Sequence, residues 1–165
     1  MSRPPISAVY LDVCTLCRPF DDQAQTRIRR ETESYFRIIR AIERGCYTLV
    51  CSPVHLMEIA AIADPLERNE VKAILVEHGT PCATGDLKRL RERAEALAAR
   101  GMGAADSAHV AFAEASAAFF ISAGRFLAMP APQRMESVRR HRAWQQGLDQ
   151  ARFFDQVFGD PPRGP

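Results

Sequence analysis

Apolar positions along this chain follow two alternating patterns. Short runs with little polar interruption, ISAVYLD at 6–12, YTLVC at 47–51 and AFFIS at 118–122, have the length and composition of strands buried in a parallel sheet. Between them, apolar residues return every third or fourth position. Ile28, Tyr35, Ile38, Ile39 and Ile42 do so across 23–44, which predicts an amphipathic helix with Arg and Glu outward. Asp21 or Asp22 is placed to cap that helix, and Gly45 to close it. Ser52-Pro53 opens another helix, with Ser as cap and Pro at the first helical position. Asp64-Pro65 starts a third, to about residue 78, ended by Gly79, and PCAT at 81–84 reads as a short strand. A charged helix at 86–100 stops at Gly101, and an alanine-rich one at 105–117 leads into AFFIS. Strands alternating with helices predict an α/β fold, a three-layer parallel sheet flanked by helices.

After Gly124 the pattern breaks. MPAPQRMESVRRHRAWQQGLDQARFF is rich in Pro, Gln and Arg and has no β-branched run. The expected organisation is therefore one domain over 1–128 and a divergent tail over 129–165, helical in part of 133–157 and frayed at GDPPRGP. The length of 165 residues suits a single domain, and 47% hydrophobic with 25% charged residues is ordinary for a globular protein. No run approaches the roughly 18 apolar residues of a membrane span, and MSRPPISAVYLDVC lacks a secretory apolar segment. These features predict a cytoplasmic protein, no membrane partner, and five reduced cysteines. Net charge of +2 selects no nucleic-acid partner by itself. Nearly all basic residues are Arg, which suits phosphate binding but follows equally from a GC-rich genome.

Three acids stand in mainly apolar surroundings: Asp12 in VYLDVC, Glu58 in HLMEIA and Asp106 in AADSAHVA. Buried carboxylates are costly unless paired or bound to metal. Singly, each has a plain structural role, since Asp12 and Asp106 can cap and Glu58 can pair with an arginine. Parallel strands change the picture. Asp12 would close the first strand, Glu58 would lie early in the helix leaving the second, and Asp106 would start the helix returning to AFFIS. All three then share the sheet edge where open α/β sheets hold ligands. Converging carboxylates repel unless a cation joins them, and an all-oxygen set favours Mg²⁺ or Mn²⁺. Structural acids and a metal site both remain open on these residues alone. Cys14-x-x-Cys17 is half a zinc pattern with no second half, so it reads as packing. His55-x-x-Glu58 occurs once, where a di-iron bundle needs two copies.

VYLDVCTLCRPFDD, LVCSPVHLMEI, GAADSAHVAFAEA and FFISAGRFL, in this order and spacing, resemble the PIN domain as found in VapC-type toxins of bacteria. The resemblance runs over about residues 8–127. It implies an Mg²⁺- or Mn²⁺-dependent endoribonuclease in which Asp12, Glu58 and Asp106 are the catalytic, metal-holding acids. It also implies Ser52 and Ser122 as supporting hydroxyls, single-stranded or structured RNA as substrate, a cognate antitoxin as partner, and a homodimer. Arg18 and Arg125 are candidates for holding substrate phosphate. One departure stands out. Where similar proteins carry a fourth acid in a Thr-x-Asp or Thr-Asp segment, this chain has Ile121-Ser122-Ala123-Gly124-Arg125. The missing carboxylate predicts weakened activity. It also admits an alternative, a degenerate PIN domain that binds RNA or protein without cutting.

Overall fold

A computed structural model describes residues 7–82, 84–123 and 149–159. Four strands, β1 (Ser7–Leu11), β2 (Tyr47–Cys51), β3 (Gly79–Pro81) and β4 (Phe119–Ile121), form one sheet in the order β3-β2-β1-β4. Every pairing is parallel, and Val9 at the centre faces Leu49 on one side and Phe119 on the other. The expected α/β class is the one observed: an all-parallel sheet flanked by helices.

The chain groups into two compact units. The first, Met1–Ala83 with Ala113–Ala123, holds the whole sheet. Its helices are α1 (Val13–Leu16), α2 (Thr26–Glu43), α3 (Pro53–Ala60) and α4 (Pro65–His78), with a 3-10 turn at Arg18–Phe20. Val9, Leu11 and Leu49 share one apolar cluster with Tyr35 and Ile39 of α2, Ile59 of α3 and Leu75 of α4. These three helices therefore cover one face of the sheet, and the two-residue period turns Tyr10 and Val50 to the other, where both are buried.

Local chemistry sets most boundaries as the sequence predicts. Gly45 follows α2 with φ of 69°, the left-handed conformation open to glycine at a helix end. Asp64 caps α4 through Leu66 N–H at 2.8 Å. Two boundaries differ. The helix expected from residue 23 begins at Thr26, because Asp22 engages the Ala24 and Gln25 amides in a turn and the Gln23 side chain bonds the Arg18 and Asp21 carbonyls at 2.9 Å. The strand expected at 81–84 is instead Gly79–Pro81. Gly79 is the reason: a Cβ there would stand 2.3 Å from the Leu75 carbonyl oxygen, so only glycine lets the chain turn straight from α4 into the sheet.

The second unit comprises Thr84–Phe112 and Gly124–Pro165. Its described helices are α5 (Leu87–Ala99), α6 (Ala104–Ala115, whose last three residues group with the first unit) and α7 (Gln150–Phe158). Phe112 stacks on Phe158 with ring centres 5.3 Å apart, and Arg91 of α5 pairs with Asp155 of α7 at 2.6 Å. α7 overlaps the end of the helical tail expected at 133–157 and runs one residue past it, whereas the boundary expected at 128 and residues 133–148 lie outside the described residues. No helix among the described residues is long and apolar enough to cross a membrane.

Candidate functional site at the carboxyl edge of the sheet

From β1 the chain steps to β2 and β3 on one side, then returns to the other side of β1 for β4. This order creates a topological switch point at the carboxyl ends of β1 and β4, the place where open α/β sheets form a crevice. Asp12 is the first residue after β1 and is 5% exposed. It caps α1: its Oδ1 accepts the Thr15 N–H at 2.8 Å and the Thr15 hydroxyl at 2.7 Å. Its Oδ2 accepts the hydroxyl of Ser122, which arrives from the end of β4. These donors offset the desolvation of the carboxylate. The Thr15 oxygen in turn accepts the Ala123 N–H at 2.8 Å, and Asp12 N–H bonds the Ile121 carbonyl at 3.2 Å. One threonine thus stitches the loop after β1 to the segment after β4.

Ser52 and Glu58 belong to the neighbouring strand's exit. Ser52 caps α3 in a box closed by His55, whose Nδ1 accepts the Ser52 N–H at 3.0 Å. A nitrogen that accepts an amide proton carries none itself, so the proton sits on Nε2 and is donated to the Leu11 carbonyl at 2.7 Å. His55 is fully buried and fixes the first turn of α3 against the end of β1. Both of its nitrogens are engaged by backbone. The Ser52 hydroxyl lies 2.6 Å from Tyr10 Oη.

Glu58, in the second turn of α3, is 7% exposed. Its charge is felt nearby. Burial pushes the Tyr10 phenol well above its ordinary range; the Ser52 bond opposes this and Glu58 adds to it. The Cys17 thiol is also pushed far up, by burial first, then by the charge and hydrogen bond of Glu67, then by Asp21 and Glu58. A thiol held protonated is a poor nucleophile.

Asp106 lies in the first turn of α6, half-buried, in the second unit. Among the described residues, no three His, Cys, Asp or Glu side chains gather closely enough to hold a metal ion. In donor chemistry, Asp12 and Glu58 of the first unit do match a hard divalent cation, both being carboxylates more than nine-tenths buried.

Arg18, expected to hold substrate phosphate, is placed otherwise. It is 3% exposed. Its Nη1 pairs with Asp21 at 2.6 Å and its Nη2 donates to the Ala123 carbonyl at 2.8 Å. Its Nε lies 2.9 Å from Glu31 Oε2, an ion pair without hydrogen-bond alignment. The guanidinium thus ties the segment after β4 to Asp21 and Glu31. Arg125 lies outside the described residues.

Beside Ser122 opens a cleft of about 520 Å³, bounded by Thr15, Ser122 and Ala123 on the sheet side and by α2 on the other. The α2 wall includes Arg27 and Arg30, neither of which stood out in the sequence. They lie on the rows 26-30-34 and 27-31, which flank the buried stripe of Ile28, Thr32, Tyr35, Ile39 and Ile42 and read in the sequence as an ordinary solvated helix face.

Comparison with protein-family models yields no match, and neither the curated proteins nor the solved structures contain a match to this chain.

Proposed function

We propose that this chain is a metal-dependent endoribonuclease of the PIN type, acting as the toxin half of a toxin–antitoxin pair. The observation that supports this reading best is Asp12: a buried carboxylate at the carboxyl end of the central strand, at the switch point, met by a hydroxyl from β4. In this reading Asp12 and Glu58 hold Mg²⁺ or Mn²⁺. Such an ion, when bound, lowers the pKa of the attacking water and offsets charge on the phosphate oxygens. Thr15 and Ser122 hold the Asp12 carboxylate in one orientation. Ser52 and His55 fix the turn that carries Glu58. Asp106 enters through the sequence resemblance alone, as do the antitoxin and a second copy of the chain.

Two observations favour a second reading, a degenerate domain that binds RNA or protein without cutting. Position 123 is alanine where the resemblance calls for an acid nearby, and no trio of ligands gathers among the described residues. Cleavage of single-stranded RNA with Mn²⁺ or Mg²⁺ separates the two. The nuclease reading expects cleavage that falls by at least about 100-fold in Asp12→Asn and in Asp106→Ala, the size expected when a metal-orienting group is lost. RNA bound but uncut by the unaltered protein supports the second reading, and Ala123→Asp then asks whether one carboxylate restores cleavage.

A further inference from the structure

The cleft beside Ser122 changes character along α2. Its amino-terminal half is polar and cationic: Arg27 and Arg30 line it together with the hydroxyls of Thr26 and Ser34. Its other half is apolar, formed by Tyr35 and Ile38 with Ile121 of β4. Burial pushes the Tyr35 phenol up to about 12, so this wall stays neutral at physiological pH. From Arg30 to Ile38 the helix rises about 12 Å, enough to place a phosphate and its attached base side by side.

The charges are unequally committed. Glu31, the acid in the wall, is shared between Arg27, whose Nε stands 2.5 Å from Oε1, and buried Arg18 at 2.9 Å. Its negative charge is thereby neutralised from both sides. Arg30 is exposed, and its guanidinium has no ion-pair or hydrogen-bond partner among the described residues. The cleft is left net positive beside an apolar floor, and it opens onto Ser122, which bonds Asp12.

We propose that this cleft is a nucleotide subsite: Arg30, with Arg27 braced by Glu31, takes a phosphodiester of single-stranded RNA, and the Tyr35–Ile38–Ile121 wall takes the adjoining base. The inference rests on the nuclease reading for the identity of the strand, and the geometry then sets which nucleotide neighbours Asp12. A bare anion site would need no apolar half, and a site for an aliphatic segment would need no unpaired arginine.

Binding of a fluorescently labelled single-stranded RNA is measured in EDTA, so that no cleavage intervenes, across roughly 50 to 200 mM salt. Arg30→Gln removes no intramolecular partner and keeps the fold. It is expected to weaken binding about fivefold and to reduce the slope of log K against log salt by about 0.7, the value for one phosphate contact on a single strand. Arg27→Gln acts in the same direction. Arg37→Gln, an exposed arginine of α2 outside the cleft, leaves binding unchanged. Adenosine 5′-monophosphate displaces the RNA at lower concentration than inorganic phosphate does. Wild-type binding in both cleft variants overturns the proposal, as does equal competition by the two anions. A glutamate-rich peptide bound with the same arginine dependence, and no RNA bound, also overturns it and assigns the cleft to an acidic protein segment. Arginine-dependent RNA binding without any Mn²⁺-dependent cleavage supports the subsite while the nuclease reading fails.

Discussion

Thr15 does more at the edge of the sheet than its type suggests. Its hydroxyl donates to Asp12, accepts from Ala123, and its own N–H caps through the same carboxylate oxygen. Thr15→Val keeps the shape and removes the hydroxyl's bonds to Asp12, Ala123 and the Ile121 carbonyl, leaving a buried carboxylate oxygen short of a donor and an amide short of an acceptor. Unfolding in urea is expected to show a loss of about 2 kcal/mol, the range for an orphaned buried polar group. Thr15→Ser keeps the hydroxyl and loses one buried methyl, so its cost should stay at about 1 kcal/mol. Equal losses in the two variants would assign the effect to packing. At this scale the sequence was only partly legible. Asp12 announced itself as a carboxylate closing an apolar run, yet the partners that orient it include Ser122, 110 residues away. Arg18 was not legible as a buried residue. Its partners are Asp21, Glu31 and the Ala123 carbonyl, the last 105 residues distant, and an isolated arginine before a proline looks like surface.

Elements were far easier to read, because caps and glycines act within a few residues. Ser52-Pro53, Asp64-Pro65, Gly45 and Gly101 each mark a boundary by chemistry that is local and obligatory. β3 was misplaced because a three-residue edge strand carries almost no periodicity. Its position is set by backbone approach rather than by pattern. That approach is testable: the Cβ of Gly79→Ala would meet the Leu75 carbonyl at 2.3 Å and Cys51 Cβ at 3.1 Å. The backbone must shift, and thermal or chemical denaturation is expected to register a cost of about 1–3 kcal/mol. Gly85→Ala, where a Cβ meets nothing within 4 Å, is the matched control and should be close to neutral. Gly79→Ala behaving like that control would mean the turn into β3 is looser than described. The cleft escaped the sequence reading for the opposite reason to the caps. It needs α2 and the segment after β4 side by side, a relation no local window contains.

At the scale of the molecule, burial holds several neutral acids protonated among the described residues. Burial raises Cys17, Cys51, Cys82 and Tyr35, the last to about 12. An acid whose folded pKa lies above its unfolded value releases its proton first in the unfolded chain. Stability is therefore fully present below about pH 9, the ordinary thiol value, and is lost as pH rises from there towards 12. The melting temperature should decline steadily over that window, and a flat profile to pH 11 would count against these burials. The strand order carries a further consequence, for timing. The His55–Leu11 bond, which ties α3 to β1, closes a separation of 44 residues, whereas Ser122 must find Asp12 across 110. By loop-closure entropy alone the longer search costs about 0.8 kcal/mol more, which favours assembly of β1, β2 and their helices first. During synthesis, most of the first unit can form while one flank of Asp12 still lacks the hydroxyl that orients it. Were the chain a ribonuclease, its cutting edge would be complete only once β4 and Ser122 had emerged from the ribosome and reached Asp12.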